Sequence, residues 1–199
     1  VEVLHNAVAL RFLHTLYAKC FDEGITPSVW AMGVINPIPK SSNSDPREPL
    51  SYRGITLASA VYKLYCHVLN ARLSTWTEDN DVVADEQNGF RRGRSTIDHL
   101  STVTSVIETR KLRRQSTFVA FIDFKKAYDR IQRPALWYKL RQLGVSGKFY
   151  QALRSIYDKT RCSVRVNGFN TGWFDVQCGL KQGCLLSPAL FNLYINDLV

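Results

Sequence analysis

The sequence has few cysteines, and none of their spacings is typical of a metal site or a disulfide framework. The five cysteines are odd in number, scattered along 199 residues, and include no C-x-x-C pair. A zinc site and a secreted disulfide scaffold are therefore poor interpretations, and buried free thiols in a reducing compartment are expected. The chain also lacks an apolar run of about 20 residues and a signal-peptide pattern, so neither a membrane span nor secretion is predicted. We expect an intracellular protein, nuclear or cytoplasmic, without a membrane partner.

Basic residues outnumber acidic ones, since 26 lysines and arginines stand against 17 aspartates and glutamates, a formal net charge of +9. This excess favours a polyanionic partner, nucleic acid before an acidic membrane, although a charge that serves solubility alone would look the same. Hydrophobic residues make up 45% of the chain, which is enough for a folded core. The chain begins at Val1 instead of a methionine and ends in the apolar stretch NLYINDLV, so we expect a segment of a longer polypeptide.

Helical and strand-like patterns follow one another along the chain without a regular βαβ order. Apolar residues at helical spacing predict helices at about 1–22, 59–76, 95–114, 134–144, 147–160 and 187–198. Strands are predicted at 30–40, 52–57, 118–124, 162–166 and 173–177, and the first two are expected to pair as a hairpin across the loop 41–51. Segment 118–124 is apolar on both faces, which predicts a central strand. The predicted fold class is α+β, with helices packed on an antiparallel sheet.

Several predicted helix ends carry capping residues. Ser59 precedes the second helix, and Ser95 followed by Asp98 resembles a capping box at the start of the third. Gly24 is expected to end the first helix. Ser187 is the expected cap of the last helix, with Pro188 at its first position.

An acidic residue, Asp123, lies at the end of the predicted central strand, within FVAFIDFKKAYDRI (118–131). A carboxylate at such an edge can face solvent and a hard cation, whereas burial of an unpaired charge is costly. Alternatively, Asp123 caps the following turn, 125–128, and this segment alone leaves both interpretations open. Lys125, Lys126 and Arg130 suit either a phosphate site or a solvated face, and Asp129 reads better as a cap or ion-pair partner than as a second ligand.

A glycine-flanked loop precedes the last predicted helix, in CGLKQGCLLSPALFNLYINDL (178–198). Glycines near Lys181 and Gln182 allow the backbone to approach another molecule closely. The Gln182 side chain can both donate and accept hydrogen bonds, and the following helix offers free N–H groups at its start. An ordinary loop before a helix is the alternative interpretation.

Two further groups of basic residues suit phosphate binding. Lys40 and Arg53 lie at the ends of the two hairpin strands, where two cations can hold a phosphate, and exposed strand-end charges are the alternative. Arg91, Arg92 and Arg94 share the loop GFRRGRST before a helix, which suits contact with a nucleic-acid backbone. Residues 89–115 hold seven lysines or arginines against two acids, so a solvated basic face is open as well.

Taken in order, five blocks of the chain resemble the reverse transcriptases of non-LTR (LINE-type) retrotransposons. The blocks are INPIPK (35–40), YRGITLASAVYKLYCHVLNARL (52–73), EQNGFRRGRSTIDHL (86–100), FIDFKKAYDRI (121–131) and GLKQGCLLSPALFNLYINDL (179–198). The chain departs from the family in reading YRGI where YRPI is commoner. The resemblance implies a right-hand polymerase fold, with mainly fingers at 1–117 and the first part of the palm, with returning finger helices, at 118–199.

The resemblance also implies roles for the matching residues. Asp123 matches the first catalytic aspartate of the palm, which binds two Mg²⁺ ions, and the backbone carbonyl of Phe124 matches the carbonyl that joins it on one ion. Tyr128 stands at the aromatic position that blocks a 2′-hydroxyl, where many family members carry phenylalanine. Gln182 matches the residue near the incoming nucleotide and the template.

The same comparison extends to the remaining basic and glycine residues. Lys40 and Arg53 resemble the finger residues that hold the triphosphate, and we assign Gly183 to nucleotide binding with them. Contacts to the nucleic acid are predicted for the three arginines of the GFRRGRST loop, Arg91, Arg92 and Arg94.

These roles imply an RNA-directed DNA polymerase that uses an RNA template, a DNA primer and dNTPs in two-metal phosphoryl transfer. The family completes its metal site with a downstream aromatic-Ala-Asp-Asp hairpin, and no Asp-Asp pair occurs in this sequence. No thumb or endonuclease is recognisable either. One of the three expected carboxylates is therefore present, and we expect no polymerisation by this chain alone. The alternative is a domesticated or decayed fragment that binds nucleic acid without catalysis.

Overall fold

The computed structural model describes residues 5–43 and 45–198. Within these ranges the chain combines helices with a mostly antiparallel sheet, which confirms the mixed α and β class. The strands are β1 (Met32–Pro39), β2 (Tyr52–Leu57), β3 (Arg161–Val166), β4 (Phe169–Asn170) and β5 (Phe174–Asp175). The helices are α1 (Ala7–Glu23), α2 (Ser28–Ala31), α3 (Ala60–Asp79), α4 (Thr96–Leu112), α5 (Arg133–Gln142), α6 (Gly147–Tyr157) and α7 (Ser187–Ile195), and short 3₁₀ turns cover Pro49–Ser51 and Asn196–Leu198.

The predicted hairpin is confirmed, because β1 and β2 pair antiparallel from Val34 opposite Leu57 to Pro39 opposite Tyr52. The sheet has the order β2-β1-β3-β4, with β5 also on β3, and β1 and β3 run parallel. These two strands come from opposite sides of the predicted boundary at residue 118, so the two predicted regions share one sheet. The division into fingers and palm stays a prediction.

The strand predicted at 173–177 is shorter in the structure, where it is β5, and a further two-residue strand, β4, precedes β5 in the segment between the two predicted strands. Between β4 and β5, the Thr171 hydroxyl accepts a hydrogen bond from the Val164 amide at 3.0 Å, and the Ser163 hydroxyl donates to the Thr171 carbonyl at 2.7 Å. Side-chain hydroxyls thus replace part of the regular ladder and interrupt the strand.

Most predicted helix ends are confirmed. The Ser59 hydroxyl accepts from the Tyr62 amide at 3.1 Å, and Ser95 with Asp98 forms a capping box. Gly24 ends α1 in the left-handed region at φ 65°. The predicted cap of α7 is wrong, because Leu186 occupies that position and Ser187 is the first helical residue. The first four residues of the predicted N-terminal helix lie outside the described ranges.

The Ser187 hydroxyl does not cap α7, because Ser187 is itself the first helical residue and its hydroxyl is buried. It donates to the Lys181 carbonyl at 2.8 Å, within the loop that leads into the helix. A bond within the preceding loop therefore takes the place of the capping bond that the sequence pattern predicts.

Helix α3 lies at the centre of the core. Its inward face consists of residues spaced three and four apart, and it packs together with the apolar faces of α5, α6 and α7. The short helix α2 adds Trp30, whose ring lies 5.3 Å from that of Tyr65 between centroids. The largest completely buried side chains of these helices include Tyr62, Tyr65, Leu69, Leu73, Leu136, Leu140, Leu153, Ile156, Leu190 and Leu193.

The predicted central strand at 118–124 is wrong. The segment has no regular secondary structure, and the side chains of Phe118 and Phe121 are 95% and 94% exposed. A strand that is apolar on both faces needs neighbouring strands on both sides, and the described part of the chain pairs no strand with this segment. Helix α4, just before it, likewise has no buried residue.

No helix within residues 5–43 and 45–198 is both long and apolar enough to cross a membrane.

Candidate polymerase site

The loop at 177–186 is bonded through two backbone hydrogen bonds to the turn at 125–130 and to Ile131, the residue that follows the turn. The Gly179 amide donates to the Ile131 carbonyl at 2.8 Å, and the Leu180 amide donates to the Tyr128 carbonyl at 2.9 Å. Gly179 has φ 82°, and a Cβ atom there would lie 2.9 Å from the Asp129 carbonyl oxygen. Only glycine allows this approach, because the neighbouring atoms are backbone and cannot move aside like a flexible side chain.

The other side of the same loop is bonded to β2. The Thr56 amide donates to the Gln182 carbonyl at 2.9 Å. Gly183 has φ 98°, and a Cβ atom there would lie 3.2 Å from the Thr56 carbonyl oxygen. The glycines around Lys181 and Gln182 therefore permit close packing within the chain itself. A nucleotide contact at Gly183 stays a prediction.

The loop 177–186, the turn 125–130 and β2 thus form one interlocked arrangement, which we call the junction. Within it, the Gln182 side-chain amide donates to the Asp129 carboxylate at 2.8 Å. This bond orients the side chain of a residue that the sequence assigns to the site. The sequence favoured Asp129 as a cap or an ion-pair partner over a second ligand. Its bond to Gln182 could not be read from a local pattern, because the two residues are 53 positions apart.

Two aromatic residues of the predicted site pack on α7. The Tyr128 ring stacks on the Phe191 ring with 5.1 Å between centroids and 22° between planes. The Phe124 ring meets Phe191 edge to face, at 6.4 Å and 84°. Desolvation by this partial burial raises the pKa of the Tyr128 phenol. The turn that follows Asp123 is therefore held in place by α7 as well as by the loop.

Asp123 itself is exposed, and no residue within the described ranges forms a hydrogen bond or ion pair with its carboxylate. A free carboxylate next to the Phe124 carbonyl supplies oxygen ligands of the kind that Mg²⁺ takes. The number of ligands is nevertheless small, because residues 5–43 and 45–198 contain no group of three or more His, Cys, Asp or Glu side chains able to hold a metal. Asp123 and the Phe124 carbonyl therefore suit Mg²⁺ as types of ligand, but they form only part of a site.

The hairpin places Lys40 and Arg53 on one face. Arg53 lies opposite Ile38 in the antiparallel register, and Lys40 follows Ile38 by two residues. Since side chains alternate between faces, Lys40 and Arg53 are diagonal neighbours, and both are exposed. The Lys40 amide donates to the Ser51 carbonyl at 2.9 Å, which continues the pairing past the strand end.

The three arginines of the GFRRGRST loop have different surroundings. Arg91 forms a bidentate ion pair with Glu78, with its Nε and Nη2 atoms 3.0 and 2.7 Å from the carboxylate oxygens. This pairing lowers the pKa of the Glu78 carboxyl and raises that of Arg91. Arg94 donates to Asp85 at 2.8 Å, while Arg92 is exposed and forms no ion pair with another described residue. Of the three predicted nucleic-acid contacts, Arg92 has the most accessible donors.

A buried arginine that the sequence reasoning missed binds the start of the loop. The Arg133 guanidinium donates to the carbonyls of Val176, Gly179 and Tyr157 at 2.7, 3.0 and 3.1 Å. No described acid forms an ion pair with it, and burial lowers its pKa. The sequence gave no indication that Arg133 is buried, because an arginine just before a helix-opening proline is ordinarily exposed.

A buried lysine was missed in the same way. The Lys181 ammonium donates to the carbonyls of Trp30 and Ile156 at 3.0 and 3.3 Å, and lies 4.9 Å from the centre of the Tyr62 ring. Burial lowers the pKa of this ammonium, which also has no acidic partner in the described residues. Two buried cations therefore hold the loop that carries Gln182, one at its start and one at its centre.

Comparison with known proteins agrees with the five sequence blocks. The profile of the family described as "Reverse transcriptase (RNA-dependent DNA polymerase)" matches residues 38–199. The chain belongs to this reverse transcriptase family. The match contains every residue that the sequence assigned to the site, and the predicted likeness to non-LTR retrotransposon enzymes is confirmed.

Several curated members of the reverse transcriptase family are similar to the chain. It is 29% identical over 172 residues to the "Probable RNA-directed DNA polymerase from transposon X-element" of Drosophila melanogaster, covering 86% of the chain and 19% of that protein. It is 26% identical over 190 residues to the "RNA-directed DNA polymerase from mobile element jockey" of the same fly, covering 96% and 20%. It is also 30% identical over 179 residues to a "Retrovirus-related Pol polyprotein from type-1 retrotransposable element R2" of Popillia japonica, covering 89% and 24%. The chain thus spans about a fifth to a quarter of the length of these relatives.

Proposed function

We propose that this chain forms the fingers, 1–117, and the first part of the palm, 118–199, of an RNA-directed DNA polymerase. The complete enzyme extends a DNA primer on an RNA template with dNTPs. The observation that carries this proposal is the junction, because it brings the segments around Asp123, Gln182 and β2 together although they are far apart in sequence. Within a chain of the reverse transcriptase family, such a meeting of segments supports one common site.

Each predicted residue has a distinct role in this proposal. Asp123 and the Phe124 carbonyl would hold Mg²⁺, which when bound neutralises phosphate charge and lowers the pKa of the primer hydroxyl. Tyr128, held against Phe191, limits the space beside the sugar and so excludes a 2′-hydroxyl. The Gln182 side chain, oriented by Asp129, lies beside the incoming nucleotide.

The basic residues and the loop glycine complete the proposed contacts. Lys40 and Arg53, on one face of the hairpin, bind the triphosphate, because two neighbouring cations match its charge. Gly183 lets the loop backbone lie close to the nucleotide as well as to β2. Arg92 contacts the nucleic-acid backbone, and Arg91 and Arg94 reach it only by exchanging their present carboxylate partners.

Primer extension on an RNA template tests the proposal. With Mg²⁺ and dNTPs, the 199-residue chain alone is expected to incorporate nothing, because it supplies one of the carboxylates that the two-metal reaction needs. In a polypeptide that also carries the Asp-Asp hairpin of the family, Asp123→Asn should reduce incorporation at least about a thousandfold, roughly 4 kcal/mol of transition-state stabilisation. Binding of the template–primer should be unchanged.

Two outcomes would contradict these expectations. Asp123-dependent incorporation by the chain alone would show that the inactivity prediction is wrong. Full incorporation by Asp123→Asn in the longer polypeptide would remove Asp123 from the catalytic site.

A second candidate function is nucleic-acid binding without catalysis, as in a decayed or domesticated element. The net charge of +9 and the exposed Asp123 are compatible with it. Template–primer binding with no incorporation in any longer form of the polypeptide would favour this alternative.

A further inference from the structure

A concave surface lies on α5, α6 and the start of β3. It consists of two adjoining cavities of about 920 and 830 Å³, which we call together the α5–α6 groove. None of the residues predicted to contact metal, nucleotide or nucleic acid lines the groove, although Arg133 and Gln177, at the start of the loop 177–186, line one of its cavities. The two cavities share six lining residues, Trp137, Tyr150, Arg154, Tyr157, Lys159 and Arg161.

The groove has an excess of positive charge. Of its exposed cations, Arg161 lies 3.3 Å from the Asp175 carboxylate, so these two charges largely cancel. Arg141, Arg154 and Lys159 form no ion pair with any residue in the described ranges, and Asp158 is the remaining acid of the lining. Three cations with free donors therefore face the same concave surface.

The floor of the groove is aromatic, and it orients two of these cations. The guanidinium carbons of Arg141 and Arg154 lie 4.9 and 5.9 Å from the centre of the Tyr150 ring. A guanidinium that packs on an aromatic ring keeps its N–H donors free at its edge, where they can reach phosphate oxygens. Trp137 is half-buried beside the rings of Tyr150 and Tyr157, with centroids 6.4 and 5.8 Å away.

The arrangement fits a chain of phosphates better than other anions. A single phosphate would need donors that converge on one point, whereas these cations are distributed over two helices and the segment that precedes β3. A membrane surface would need a flat or convex basic face, and these cations line a concave one. Basic grooves that combine cations with aromatic side chains are typical of single-strand binding, because phosphates follow the cations and bases stack on the rings.

We propose that the α5–α6 groove binds single-stranded nucleic acid, with Arg141, Arg154 and Lys159 on successive phosphates and Trp137 against a base. This site is separate from the candidate polymerase site and does not depend on its activity. It would give the chain a second contact with an RNA or DNA strand.

The test is a fluorescence anisotropy titration of the 199-residue chain with labelled single-stranded RNA and DNA of one sequence, at several KCl concentrations. The test variants are Arg154→Gln/Lys159→Gln and, independently, Arg141→Gln. The matched control is Arg11→Gln/Lys19→Gln, which removes two exposed charges from α1. Circular dichroism verifies that each variant is folded.

The groove double variant should bind about tenfold more weakly than the control. The slope of log affinity against log salt should fall by about 1.4, since each phosphate contact to a single strand contributes about 0.7. Arg141→Gln should lower the slope by about half as much. RNA and DNA should behave alike, because the proposed contacts are to phosphates and ring faces.

Three results would overturn the proposal: no binding by the wild-type chain, equal losses in the groove and control variants, or an unchanged salt slope. If Lys40→Gln/Arg53→Gln abolishes binding while the groove variants bind normally, the groove proposal fails and the hairpin assignment gains support. The primer-extension test of Asp123 is independent of all these outcomes.

Discussion

Replacing Gly179 by alanine tests whether the close approach of the loop and the turn is essential to the fold. Gly168 provides a matched control, because the two glycines have almost the same φ, 82° and 83°. A Cβ atom at Gly179 would lie 2.9 Å from the Asp129 carbonyl oxygen and 3.0 Å from its Cα atom. At Gly168, in the turn between β3 and β4, a Cβ atom would meet nothing within 4 Å.

The two substitutions share the costs that come from the backbone angle and the unfolded chain, and they differ in the steric overlap and its effect on nearby hydrogen bonds. A left-handed backbone costs alanine about 1–2 kcal/mol at either position, and the change in unfolded-chain entropy is the same. The overlap at Gly179 adds about 1–3 kcal/mol. Weakening the Gly179–Ile131 and Leu180–Tyr128 hydrogen bonds adds about 0.5–1.5 kcal/mol for each. Gly179→Ala should therefore be less stable than Gly168→Ala by about 2–6 kcal/mol.

Urea unfolding followed by far-UV circular dichroism measures this difference as a shift in midpoint at constant slope. Amide hydrogen exchange gives a second measurement, because the Leu180 amide should exchange faster in Gly179→Ala than in Gly168→Ala. If the two variants unfold within about 0.5 kcal/mol of each other, the turn accommodates a methyl group and the reasoning is refuted.

Two further predictions concern the buried Arg133 and the Arg91–Glu78 ion pair. Arg133→Met keeps an apolar stem but leaves the Val176 and Gly179 carbonyls without this donor. The free energy of unfolding measured in urea should therefore fall by about 2–6 kcal/mol. A loss below about 1 kcal/mol would contradict the role of Arg133 in holding the loop. Arg91 lowers the pKa of Glu78 in the folded chain, so the stabilisation is present above the unfolded glutamate pKa of about 4.3 and is lost as the pH falls through the folded value. The advantage of the wild-type chain over Glu78→Gln in urea unfolding should be at most about 1 kcal/mol at pH 7, because the pair is partly exposed. It should disappear once the pH has fallen below the folded pKa of the Glu78 carboxyl, and a difference that does not depend on pH would contradict this cause.

The sequence predicted well those elements whose ends are determined by neighbouring residues. The β1–β2 hairpin, the Ser59 cap, the Ser95–Asp98 capping box and the Gly24 terminus all appear as expected. Each depends on hydrogen bonds or backbone angles within a few residues, or on adjacent strands joined by one loop. Such interactions can be recognised in a linear pattern.

Two predictions failed for different reasons. Segment 118–124 has the composition of a central strand, but a strand forms only where another strand offers its edge, and the described residues provide none beside it. The Ser187 hydroxyl matches a capping pattern but bonds to the Lys181 carbonyl instead. The strand failed for want of a distant partner, whereas the cap failed because the helix begins one residue earlier than the pattern predicts.

The sequence by itself determined the family and the order of the site segments, and it supplied the site-residue assignments, which stay predictions. The tertiary structure alone decided how those residues are held: Gln182 is oriented by Asp129, and Arg133 is buried with no acidic partner in the described chain. The tertiary structure also decided that Gly179 permits a contact within the chain, whereas the sequence suggested an approach to another molecule. The physical reason is that a motif records which side chains are present, whereas burial and hydrogen bonding depend on which distant segment packs against each of them.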